Sequence, residues 1–194
     1  MVSEGITSKI SLLTESYPRY GFDALSMLIN TGWDALCITR LHPDYITKKF
    51  GLNNIKCQWL STRKGKDIIS PKSMGQLVKA VKASLKKSDC TIIFLDGLEY
   101  LLMWNDMSKV ISTLREIDSV LRNKTAEMLI CIDPLTLEQR DLDRLFSEFP
   151  QHSATEVVEI LTTELPQQID EALPGTADRT IGDLLRLGEL HAIP

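Results

Sequence analysis

The chain has 194 residues, 43% hydrophobic and 25% charged. These are proportions of a globular protein, they exclude disordered and collagen-like classes, and the length suits one domain plus a short appendage better than two complete domains. A formal net charge of -4 argues against a domain whose main work is neutralising nucleic-acid phosphates, which draws on a Lys/Arg surplus.

Cys37, Cys57, Cys90 and Cys131 show no C-x-x-C spacing and no histidine at ligand distance. Neither a metal site nor a disulfide framework is expected, and no cofactor is assigned. Three of the four lie in apolar runs, where Cys behaves as a small buried hydrophobe. The start at Met1 lacks the basic and apolar regions of a signal peptide, and no stretch approaches the ~20 apolar residues of a bilayer span. The expected compartment is the cytoplasm, with no transmembrane segment.

From Lys9 onward, short apolar runs alternate with segments of helical period, the pattern of a parallel sheet with crossover helices. Ile10 to Thr14 is the first strand. Phe22 to Asn30 is a helix with Phe22, Leu25, Met27, Leu28 and Ile29 mostly on one face, closed by Asn30-Thr31-Gly32. Trp33 to Thr39 is the second strand and Pro43 to Phe50 a helix, with Pro in the first turn. A weaker strand, Lys56 to Leu60, precedes a polar loop from Ser61 to Ser70 and a Lys-rich helix from Lys72 to Lys87.

The most apolar strand, Thr91 to Leu95, stops at Asp96-Gly97 and reads as a central parallel strand covered on both faces. A helix from Met107 to Arg122, a strand from Glu127 to Ile132 ending at Asp133-Pro134, and a helix from Leu135 to Phe149 complete the series. Beyond Pro150 the αβ rhythm is lost. Domain 1–150 is therefore read as the α/β unit and 151–194 as a helical extension whose last helix runs around Thr180 to Leu190. The expected fold class is α/β, an open, mostly parallel sheet with helices on both faces in three layers.

The opening strand, turn and helix stand where a P-loop protein carries G-x-x-x-x-G-K-[ST]. Aligned on Gly21, the first Gly is Ser16, the phosphate-reaching Lys is Phe22, and the magnesium-binding hydroxyl is Asp23. Such a loop works by aiming backbone N–H groups and one ammonium at a polyanion. Phe22 supplies no charge and Asp23 adds repulsion, leaving Arg19 as the nearby cation. Asp96, at the end of its apolar strand, stands in a Walker B position with Glu99 two residues past Gly97, yet an Asp-Gly at a strand end is at least as often a turn.

Cys37-Ile38-Thr39-Arg40 with Pro43, Trp59-Leu60-Ser61, Ile69-Ser70-Pro71 and Leu95-Asp96-Gly97-Leu98-Glu99-Tyr100-Leu101 together resemble an archaeal domain-of-unknown-function family, DUF835. The resemblance runs from about Ser11 to Glu148. Members look like degenerate relatives of RecA/KaiC-like ATPases of the P-loop NTPase type and often accompany sensory and signal-transduction modules. The resemblance thus implies a regulatory or scaffold role. Asn105-Asp106-Met107 departs from the family, which often has an aromatic after that Asn.

In open parallel sheets, ligands bind beyond the carboxyl ends of the strands. That edge gathers Ser16, Thr39, Arg40, Ser61, Asp96, Glu99 and Asp133, of which Arg40, Asp96, Glu99 and Asp133 form the candidate ligand or partner edge. The bland alternative is that Arg40 pairs with Asp96 or Asp133 to satisfy strand-end charges. His42, His152 and His191 have no Ser, Cys or carboxylate at a readable motif spacing, so no catalytic residue is assigned and an enzyme is not expected. Trp33, Trp59 and Trp104 sit at element ends, where indole usually packs with its N–H bonded.

The leading expectation is a non-catalytic signalling or assembly module acting through protein contacts. The rivals are a nucleotide-binding protein with a non-standard phosphate loop, kept open by Asp96 and Glu99, and a nucleic-acid-associated RecA-like paralogue using the Lys72 to Lys87 face. Ile181, Leu184, Leu185 and Leu187, continued by Leu190, form an apolar stripe on a segment too short to be stable alone, and Pro174-Gly175 supplies a joint before it. That stripe is the candidate partner helix, for another protein or a second copy of the chain.

Overall fold

The computed structural model describes residues 8–53, 55–88 and 90–163. The stripe at Ile181, Leu184, Leu185 and Leu187, the joint at Pro174-Gly175 and His191 lie outside the described residues. The elements are β1 (Ile10–Thr14), α1 (Arg19–Asn30), β2 (Asp34–Thr39), α2 (Pro43–Phe50), β3 (Lys56–Leu60), β4 (Ile68–Ile69), α3 (Met74–Ser84), β5 (Cys90–Asp96), α4 (Leu98–Leu102), α5 (Met107–Leu121), β6 (Thr125–Ile132), α6 (Gln139–Glu148) and α7 (Ala154–Thr163). The strands form one six-stranded sheet in the order β1-β6-β5-β2-β3-β4, parallel throughout.

The order dictates the layers. From β1 to β2 and from β2 to β3 the chain moves one way along the sheet; from β4 to β5 and from β5 to β6 it moves back. Right-handed crossovers then place α1 and α2 on one face and α3, α4 and α5 on the other. The packing agrees, since α1 meets α2 and α7 while α5 meets α3, α4 and α6. The chain reverses direction between β2 and β5, so these two neighbours send their carboxyl ends into diverging connections.

Toward α3 to α6 the sheet presents Ile10, Leu12, Leu36, Ile38, Ile93, Leu95, Met128, Ile130 and Ile132, all buried in one aliphatic cluster. Toward α1 and α2 it presents Phe94, whose ring centroid lies 4.8 Å from that of Phe22. Phe22 in turn stacks on Phe50 at 4.4 Å.

The outer edge of β1 is covered by Pro150 to His152. Leu12 N–H donates to the Pro150 carbonyl at 2.8 Å and His152 N–H to the Leu12 carbonyl at 3.0 Å, after which α7 returns against α1. Residues 151–163, expected from the sequence to belong to the extension, thus join Pro150 in closing a sheet edge and add a helix to one layer.

Three details differ from expectation. Met27 is 54% exposed, because it lies about 200° around the helix from Leu25, while Gly21, Phe22, Ala24, Leu25 and Leu28 form the buried face. The polar loop after β3 contains β4, whose Ile68 and Ile69 extend the sheet. The helix expected from Leu135 begins only at Gln139, since Pro134–Thr136 is a 3-10 turn and Leu137 is extended. Among the described residues no helix is long and apolar enough to cross a membrane.

Candidate functional site

At the reversal point β2 and β5 run side by side, with Thr39 opposite Asp96. Asp96 is 2% exposed; its Oδ2 accepts a hydrogen bond from Thr39 Oγ1 at 2.7 Å, and its Oδ1 lies 3.6 Å from Arg40 Nε. The other branch of the Arg40 guanidinium, Nη1, pairs with Glu99 Oε1. Glu99 Oε2 is buried with no hydrogen-bond partner among the described residues. Gly97 makes the turn between the two carboxylates. Its φ of +110° suits glycine, and an added Cβ would approach Arg40 Cβ to 3.3 Å.

Burial pushes the Asp96 carboxyl up to about 6, Glu99 and Glu15 push the same way, and Thr39 and Arg40 oppose them. A carboxylate held this way costs stability at neutral pH. Three of the four candidate edge residues, Arg40, Asp96 and Glu99, therefore form one cluster. Asp133 does not join them, because its Oδ1 accepts from Leu135 N–H at 3.0 Å and caps the 3-10 turn. The bland alternative holds through Asp96: Arg40 engages that strand-end carboxylate, and its second partner is Glu99.

The structure also contains a group that the sequence comparison passed over. Glu15 follows β1, and its carboxylate reaches forward to the first turn of α1. Oε2 accepts from Tyr20 N–H and Oε1 from Gly21 N–H, both at 2.9 Å. Pro18, at the helix cap, makes no side-chain capping bond, so Glu15 supplies the negative partner that helix N-termini favour. Oε1 also accepts from Cys131 Sγ at 3.2 Å, and the buried Cys131 thiol is pushed well up by its desolvation and by the Glu15 charge.

Gly21, the surviving motif glycine, has a packing role: a Cβ there would meet Cys131 Sγ at 2.4 Å and Phe94 Cε2 at 2.9 Å. Phe22 is buried in the aromatic stack, whereas Ser16, Arg19 and Asp23 are exposed. A carboxylate preceding a helix that has no capping side chain was the available signal for Glu15.

The family model described as Protein of unknown function (DUF835) matches residues 15–149. The chain belongs to the DUF835 family. The match begins at Glu15 and takes in Arg40, Asp96 and Glu99, and the strap from Pro150 to Thr163 lies beyond it. No curated protein matches the chain.

Elsewhere in this DUF835 chain, tertiary contacts link residues that sequence spacing kept apart. His152 Nδ1 lies 3.1 Å from Ser11 Oγ, beside a cavity of about 220 Å³ lined by Lys9, Glu127, Val157 and Leu161. Among the described residues no group of three or more His, Cys, Asp or Glu side chains is arranged to hold a metal ion. Trp59 follows the indole expectation, donating Nε1–H to the Arg40 carbonyl at 3.1 Å. Trp33 is buried, its Nε1 without a partner among the described residues, and Trp104 is exposed, with Lys72 Nζ 4.2 Å from its ring centroid. On the Lys-rich α3, Lys82 pairs with Glu116 at 2.7 Å, which lowers the charge that face offers to a polyanion.

Proposed function

We propose that this DUF835 chain is a RecA/KaiC-like domain of P-loop NTPase descent that serves as a non-catalytic regulatory or assembly module, acting by protein–protein contact in a cytoplasmic, archaeal signalling setting. The reading rests on Glu15. The two main-chain N–H groups at the start of α1, where a phosphate would be cradled, already serve a carboxylate of the same chain. An incoming phosphate would have to displace that anion with no lysine in the loop to help. Leu135 at 87% and Met103 at 72% exposure, in the connections that follow β6 and β5, support a contact role for this end of the sheet. The spacing of Ile181, Leu184, Leu185 and Leu187 supports a docking helix as a second element of the same role.

A second reading, nucleotide binding through a non-standard loop, is favoured by one observation: Asp96 is kept buried at a cost to stability, at the point where open sheets bind ligands. Titration calorimetry of the full chain with ATP and GTP plus magnesium separates the two. The leading reading expects no heat of binding at millimolar nucleotide. Micromolar affinity that disappears in Asp96→Ala would establish the second reading instead. Sedimentation of the full chain against a version ending at Thr163 then tests the docking helix, with loss of self-association expected on truncation if the partner is a second copy.

A further inference from the structure

On the face of the sheet covered by α1 and α2, Cys37 of β2 and Cys57 of β3 are direct cross-strand neighbours in register. Residues paired this way point to the same side, and adjacent strands lie about 4.8 Å apart, inside the Cα separation that disulfides span. Both thiols are reduced, Cys37 buried and Cys57 partly exposed. From this placement we infer that Cys37 and Cys57 form a peroxide-reactive dithiol, with Cys57 the attacking sulfur and Cys37 the resolving one.

The chemistry supports this division of labour. A side-chain hydrogen bond from Cys37 lowers the Cys57 thiol and is the largest influence on it. The same bond, followed by burial, pushes Cys37 well up. The thiolate is therefore favoured on the cysteine that is the more exposed of the two, as peroxide attack requires. The Cys57 thiolate attacks one peroxide oxygen, the O–O bond breaks, and the released hydroxide takes a proton to leave as water. Cys57 is then a sulfenic acid. The Cys37 sulfur attacks it, the S–O bond breaks, and the Cys37 proton leaves with the hydroxyl as a second water. Two thiols have been oxidised to one disulfide, and one hydrogen peroxide reduced to two waters.

The fold allows the small approach that the bond needs. Among the described residues β4 pairs with β3 at Trp59 and Leu60, so at Cys57 the outer side of β3 carries no β4 partner and the strand has room to adjust as the two sulfurs close. A separation of about 4.8 Å is at the short end of the Cα range that disulfides span, which favours a strained and easily reduced bond, the property of a reversible site.

The test exposes the reduced full chain to hydrogen peroxide at increasing times, quenches with catalase, alkylates, and maps peptides without reductant. The expected result is an intramolecular Cys37–Cys57 peptide that forms about tenfold faster than any modification of Cys90 and is reversed by dithiothreitol. In Cys37→Ala, which removes both the resolving sulfur and the bond that lowers the Cys57 thiol, Cys57 should react more slowly and be trapped by dimedone as a sulfenic acid with no cross-link, and in Cys57→Ser, Cys37 should stay unmodified. A wild-type chain whose Cys57 is overoxidised without forming the cross-link, or whose cysteines all react at one common rate, overturns the proposal. The wild-type map decides the matter even if a variant fails to fold.

Discussion

The two faces of the sheet are built from different chemistry. Under α3 to α6 lies a dry aliphatic layer, where Leu95, Val110, Leu114 and Ile130 are wholly buried. Under α1, α2 and α7 the sheet presents Phe94, the Cys37, Cys57 and Cys131 thiols, and the Glu15 and Ser11–His152 contacts. The first face is held mainly by side-chain volume, with Asn105 and Asp118 as buried polar exceptions that are each hydrogen-bonded. The second depends on particular atoms, because each polar group there has to meet its partner or carry a desolvation cost. Both faces are buried, then, but one is mainly aliphatic while the thiols and the Glu15 and Ser11–His152 contacts gather on the other, with the Arg40 cluster at the strand ends.

This contrast can be broken most severely on the aliphatic side. Leu114→Ala empties a fully buried position and is expected to lose about 2–5 kcal/mol in urea unfolding.

Asp96→Asn is expected to act in the opposite direction. The folded value of about 6 lies above the ordinary 3.8, so the folded state holds this proton more tightly than the unfolded chain does. Its contribution is complete below the ordinary value and is lost as pH rises through the folded one. Denaturant unfolding near pH 8 should therefore show Asp96→Asn more stable than the parent by up to about 3 kcal/mol. The gain should shrink to nothing toward about pH 4.

Gly21→Ala drives a methyl group into Cys131 and Phe94, with an expected loss of about 1–3 kcal/mol. Adding Cys131→Ala should restore part of it, whereas a purely conformational effect of the glycine would be untouched by the second change.

Glu15→Ala is the mildest of the set, at about 1–2 kcal/mol, because it leaves two N–H groups at the start of α1 without their carboxylate. Glu15→Gln should lose less. A melting temperature unchanged in Glu15→Ala would remove Glu15 as the resident anion of that helix.

The sequence alone determined the alternation of strands and helices. β1, α2 and β3 have the bounds read from apolar runs, Pro43 and Gly51, because burial period and cap chemistry are local properties. It also determined that the glycine-lysine phosphate loop is missing, which is a matter of residue identity. β4 was not legible, since two residues in a polar segment carry no period, and neither was the 3-10 turn that delays α6. The partners of the candidate residues were decided only by tertiary structure. Glu99 rather than Asp133 completes the Arg40 cluster because the short α4 begins directly after Gly97, while Asp133 is committed to its own turn. Glu15 meets Cys131 across 116 residues, and Cys37 meets Cys57 because β2 and β3 pair in that register. Such meetings follow from strand order, which no local pattern encodes, and strand order is set by how the whole chain buries both faces of one sheet.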